Sequence, residues 1–226
     1  MEIASIIALG MGAAWASGIN LCATIATLGI LGATGNFALP PDLQILAHPM
    51  VIGAAAVMYC VEFFADKTPG VNTAWDTVHT FVRVPAGAAL AAGALGTVSP
   101  EAQVAALIVG GGLSATSHTL KAGTRVLINT SPKPFSNWAA SVAEDVAVFG
   151  GVLLAVYEPA VFLGLLAAFV ALAAWAILRL WRVIRALVRR VGRWLGLAKA
   201  PPAGADDGLI ELRLGQGPLP RLLRLK

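Results

Sequence analysis

Charge is scarce in this chain of 226 residues. Asp, Glu, Lys and Arg together make 12% of it, against 58% hydrophobic residues, and the mean hydropathy is +0.77. That shortage excludes a soluble globular domain, because one core of this length cannot hide so much apolar surface. The bilayer must be the solvent for most of the chain. Cysteine is nearly absent: Cys22 and Cys60 each sit inside an apolar run, with no partners for a disulfide framework or a metal site. His79, His118, Glu62, Glu144 and Asp145 are metal ligands in type, but no H-E-x-x-H or C-x-x-C spacing accompanies them. The short alternation of a membrane barrel is also missing, and long runs of Ala, Gly, Leu and Val point to helices.

The apolar runs predict six spans, at about 3–32, 45–65, 82–98, 101–129, 138–157 and 159–181. Ser99, Pro100 and Glu101 form a helix start before the fourth. "AWA" at 14–16 resembles a signal cleavage site, yet Glu2 stands where a basic region belongs, so a retained first span is expected. Loop 33–44 and the turns at 99–100 and 157–158 carry no Lys or Arg. Lys67, with Arg83 at the loop's far edge, and Lys133 mark the alternate loops, and Arg179, Arg182, Arg185, Arg189, Arg190, Arg193 and Lys199 follow the last span. The positive-inside rule then places both termini in the cytoplasm and predicts an inner-membrane protein. Three regions follow: a membrane domain over 1–181, a basic amphipathic helix over 182–200 that meets anionic lipid headgroups, and a flexible tail over 201–226. The basic cluster reads as a membrane-surface element, and no nucleic-acid partner is expected.

This orientation brings the scarce charge to one depth. Asp76, His79 and Arg83 stand at i, i+3, i+7, as do His118, Lys121 and Arg125, so each triplet forms a helical stripe. Glu62 and Asp66 are an i, i+4 pair, Glu144 and Asp145 enter from the fifth span, and Asn20 belongs to an uncharged stripe with Ser17, Thr24 and Thr27. Ionisable side chains inside a membrane are unfavourable by about 2.5–3.5 kcal/mol each, so they face a bundle interior or a wet cavity. With Asn129, these residues make the candidate solute-binding set. Asn129-Thr130-Ser131 also fits a glycosylation pattern, read here as chance because the loop is expected in the cytoplasm.

"GAAWASGINLCATIATL" (12–28) aligns without gaps to "GGLSATSHTLKAGTRVL" (111–127), which would make an inverted repeat of three plus three spans. "GMGAAWASG" lacks a third glycine and a preceding strand, so its glycines serve helix packing rather than a dinucleotide.

"ASGINLCAT", "VEFFADKTPGVNTAWDTVHTFVRVPAGA" and "HTLKAGTRVLINTSPKPFSNWAASVAED" together resemble a bacterial multi-pass membrane family, domain of unknown function 4126, over about residues 5–160. The resemblance implies an integral membrane protein and names no substrate. The residues themselves support a small transporter or channel first, for an anionic solute or protons. The competing reading is a scaffold whose charges only hold helices together. An intramembrane enzyme comes third, because no nucleophile–base motif is present. No cofactor is expected, and a homo-oligomer stays open.

Overall fold

The structure is a computed structural model that describes residues 2–68, 70–96, 98–129 and 134–194. Its helices are α1 (Ile3–Ala33), α2 (Pro49–Lys67), α3 (Val71–Leu95), α4 (Pro100–Asn129), α5 (Pro134–Tyr157) and α6 (Pro159–Trp194), with a 3-10 segment, Pro41–Ala47, before α2. Four of the six α-helices open on proline, which lacks the N–H that a first turn leaves unbonded anyway. The turn from α2 into α3 passes through Gly70 at φ +84°, a conformation that favours glycine.

The chain divides into two units, Met1–Ala173 and a second from Ala174. In the second, Arg179 and Arg185 lie over the rings of Trp175 and Trp181, at 5.4 and 5.0 Å. The basic helix expected over 182–200 is described to Trp194, as part of α6. The tail 201–226 lies outside the described residues.

The polarity of the first unit is that of a membrane protein. Phe135 is 86% exposed and Phe81 81%, whereas Arg83 and Arg125 are the largest fully buried side chains at 0%. Among the described residues, five helices are by length and composition apolar enough to cross a bilayer: α1, α2, α3, the Phe135–Tyr157 part of α5 and the Pro159–Arg179 part of α6. The chain is thus a multi-pass, all-α membrane bundle. The fourth expected span, α4, falls outside that set although its 30 residues are ample. Its inward face carries Ser114, Ser117, His118, Lys121 and Arg125, all buried, which lowers its average hydropathy. The same cause moves the third span. Expected from residue 82, it begins at Val71, because Asn72 and Asp76, polar residues of the expected loop, turn inward from a helix and are buried.

The first span differs more. α1 is broken at Asn20, whose φ −148° and ψ 97° are extended. Asn20 caps a second limb, its Oδ1 accepting the Ala23 N–H at 2.9 Å. Before the break, Gly10 packs on Ala91, Ala94 and Leu95 near the end of α3, and Ala8 clusters with Ala155 and Phe162. After it, Gly29 packs on Leu46 and Ile52, and Gly32 on Leu39 and Ala47. The start of α2 and the end of α3 share one end of the bundle, since Gly93 touches Leu43 and Gly96 approaches Asp42. Both limbs of α1 therefore lead from Asn20 back to the same end. At 1.5 Å per residue they are about 25 and 20 Å long, each short of a full crossing. The backbone break is tolerated because it is buried in protein.

The internal alignment pairs Asn20 with Thr119, which sits in the unbroken helix α4. The two aligned segments therefore differ in backbone conformation at this position. α1 packs on α2, α3, α4 and α5, while α4 packs chiefly on α3 and α1.

Candidate functional site: a buried charge network

Four helices bring charge to the tip of α1. Glu62 and Asp66 come from the last turns of α2, Asp76 and Arg83 from the first half of α3, His118, Lys121 and Arg125 from α4, and Glu144 and Asp145 from α5. Glu62 and Asp66 stand four residues apart, Asp76 and Arg83 seven, and His118, Lys121 and Arg125 three and four, so α2, α3 and α4 each direct one polar stripe inward and leave an apolar surface to the lipid.

Arg83 is the first centre. Its Nη2 pairs with Glu62 Oε1, and its Nη1 donates to Asp76 Oδ1 at 2.9 Å and to His118 Nδ1 at 3.2 Å. His118 accepts there, so it is neutral with its proton on Nε2, which donates to Thr80 Oγ1 at 2.7 Å. Lys121 is the second centre. Its ammonium lies 2.7 Å from Asp66 Oδ2, 3.6 Å from Glu62 and from Glu144, and 3.8 Å from Asp76. Arg125 closes the far side, with Nη2 at 2.5 Å from Glu144 Oε2 and Nη1 donating to the carbonyls of Asp66 and Asn137.

The break in α1 enters this network directly. An unbroken helix would join the Ala23 N–H to the Ile19 carbonyl. Here the Asn20 side chain takes that N–H, and the Ile19 carbonyl accepts from Lys121 Nζ at 3.0 Å. Asn20 Nδ2 also donates to Asp145 Oδ1 at 3.4 Å. Asn20→Ala removes the cap of the second limb and should destabilise the protein by about 1–2 kcal/mol, read as a lower melting temperature. Asn20→Ser keeps a capping oxygen and should recover most of that loss. An equal loss in both variants would remove the cap from this account.

Asn129, expected in the site, lies at the network's edge. Asn72 Nδ2 donates to Asn137 Oδ1, Asn137 Nδ2 to Asn129 Oδ1 and Asn129 Nδ2 to Asn72 Oδ1, at 3.2, 3.0 and 3.0 Å, a closed ring across α3, α4 and α5. His79 is the site residue that the fold does not bring in. It stacks on Trp75 at 4.3 Å, and its Nδ1 meets the Trp75 carbonyl. Its position three residues after Asp76 falls on the flank of the stripe that Asp76 and Arg83 share. Asn72 and Asn137 were missed by the sequence reading. Each continues a charged stripe, four residues before Asp76 and seven before Glu144, and that periodicity was the available signal.

The charges do not balance. Glu62, Asp66, Asp76, Glu144 and Asp145 face Lys67, Arg83, Lys121 and Arg125, one carboxylate in excess. Among the described residues, Glu62 Oε2, Asp66 Oδ1, Asp76 Oδ2 and Asp145 Oδ2 are buried without a hydrogen-bond partner, and so are the donors Arg83 Nε and Arg125 Nε. Lys67 lies 2.9 Å from the centroid of the Phe63 ring and donates to Ser141 and to the Phe63 carbonyl. Each of the four cations is thus engaged within the protein, and the formal charge of the network leaves one carboxylate in excess.

Fold and site together define a polytopic helical membrane protein with a broken, buried helix whose break inserts into an intramembrane charge network. The chain belongs to the family described as a domain of unknown function (DUF4126), whose profile matches residues 7–179. No curated protein and no solved structure matches it.

Proposed function

We propose that this protein is a small membrane transporter or channel whose path runs through the charge network, with protons or another small cation as the moving or coupling species. The break of α1 at Asn20 carries this reading. Many transporters build midplane ion sites from discontinuous helices whose released backbone carbonyls coordinate a cation, and here the Ile19 carbonyl released by the break meets the Lys121 ammonium. The carboxylate surplus favours a cation over the anionic solute suggested by the sequence, since Arg83, Lys121 and Arg125 are already held by carboxylates. Proteoliposomes loaded with a pH-sensitive dye test it: an imposed potential should drive internal pH faster than in protein-free vesicles. Equal rates across a panel of cations and anions would sink the reading. A scaffold role is the second reading, supported by the pairing of these same three cations. Anionic lipid at the basic segment after 182, and a bacterial inner membrane as location, are parts of the same proposal.

The folded-back α1 also changes the proposed topology. Counting α1 as a crossing put both termini in the cytoplasm. With both limbs at one end of the bundle, the N-terminal end of α1 shares a side with loop 33–48 and the turn before α4, opposite Lys67 at the end of α2. In a Cys22→Ala, Cys60→Ala background, an impermeant maleimide added to intact cells should label Ala4→Cys and Asn36→Cys but not Lys133→Cys. Protection of Ala4→Cys beside labelled Asn36→Cys would restore α1 as a crossing.

A further inference from the structure

Between α3 and α4 the surface opens into a groove of about 370 Å³, whose polar side is formed by Thr73, Asp76, Thr77, Thr80, His118 and Thr119. Its chemistry is one-sided. Thr77 donates its hydroxyl proton to the Thr73 carbonyl at 2.8 Å, Thr80 to the Asp76 carbonyl at 3.0 Å and Thr119 to the Ala115 carbonyl at 2.7 Å. Thr73 donates to Asn72 Oδ1 at 3.2 Å. Each hydroxyl has given its only proton to the protein and keeps lone pairs for a ligand. The Nε2–H of His118 is likewise committed to Thr80.

Asp76 supplies the charge. It is 2% exposed, and its Oδ1 is held by Arg83, yet its Oδ2 has no partner among the described residues. A buried carboxylate oxygen without a donor is unfavourable, and the surplus carboxylate of the neighbouring network adds negative potential. An anion would meet only acceptors here. A neutral acceptor would fare no better.

The geometry points to a binding site for a monovalent cation in this groove, at Asp76 with the Thr77 and Thr119 hydroxyl oxygens: an alkali-metal ion or the primary ammonium group of a small amine. Hydroxyl and carboxylate oxygens suit a hard cation, and the volume admits a partly hydrated ion or a short alkylammonium. The proposal deepens the transport reading by naming its ion, and it rests on that reading for the ion's role but not for its binding.

Equilibrium binding of radiolabelled sodium and of radiolabelled methylammonium to the purified full chain in nanodiscs tests it, with choline holding ionic strength constant. Saturable binding of one of the two, near one ion per chain, is expected. Thr77→Val with Thr119→Val should weaken it about tenfold or more, a loss of two acceptors. This pair is the deciding variant because neither residue belongs to the ion pairs, whereas Asp76→Asn also removes a partner of Arg83. No saturable binding of either ion, or binding unchanged in the threonine pair, would overturn the site. Binding without flux of the same ion in proteoliposomes would leave the site standing and remove the transport reading. Flux indifferent to the threonine pair would do the reverse.

Discussion

Arg83→Met should be the most damaging single substitution in this protein, lowering stability by about 3–5 kcal/mol and the melting temperature by about 10 °C. The guanidinium is fully buried and joins Glu62, Asp76 and His118. Removing it strands two carboxylates that are almost wholly out of water, 1% and 2% exposed. Most of the loss is the unpaired negative charge rather than missing packing, since Met fills much of the same volume. Arg83→Met combined with Glu62→Gln and Asp76→Asn should therefore recover a large part of the stability. Thermal unfolding in one detergent, with the single and combined variants side by side, measures both effects. A combined variant no better than Arg83→Met alone would show that the network is not held by charge pairing.

Lys121→Met and Glu62→Gln, made singly, should separate transport from scaffolding. Lys121 faces four carboxylates and the carbonyl freed by the break in α1. Removing its charge cuts the Ile19 contact and leaves the break tied to the network only through Asn20 and Asp145, and an ion flux through this region should fall to the protein-free rate. Glu62→Gln is nearly isosteric and keeps an acceptor for Arg83, so it should fold well while losing a protonatable group. Both variants should be scored for yield, melting temperature and flux in proteoliposomes, with and without a proton gradient. Folded Glu62→Gln with abolished flux supports transport. Strong destabilisation of both, with no flux in the unmutated protein, supports the scaffold.

Several of these contacts were legible in the chain. Asp76, Arg83, His118, Lys121, Arg125, Glu62 and Asp66 were recognisable as inward stripes, because a helix repeats every 3.6 residues and a membrane penalises exposed charge. Asn72 and Asn137 follow the same rule and were passed over because they carry no charge. His79 shows the limit of the rule: the spacing i, i+3 places it beside the stripe, and Trp75 decided where its ring rests. The folded-back first helix had a fainter signature. Residues 1–66 contain no Lys or Arg on either side of that apolar run, which suits two limbs meeting the same side of a membrane.

By itself the sequence determined the solvent, the helical class and the depth at which charge collects. Each follows from composition or from a period of a few residues, and such local quantities survive without knowledge of neighbours. Only the tertiary structure decided that α1 turns back at Asn20, that the Ile19 carbonyl meets Lys121, and that Asp76 is left with an oxygen unpaired beside a threonine-lined groove. Asparagine is tolerated inside a membrane helix as well as at a cap, and its choice depends on what surrounds it. Here Asp145 and Lys121, more than a hundred residues further along the chain, supply the partners that make the broken conformation the stable one.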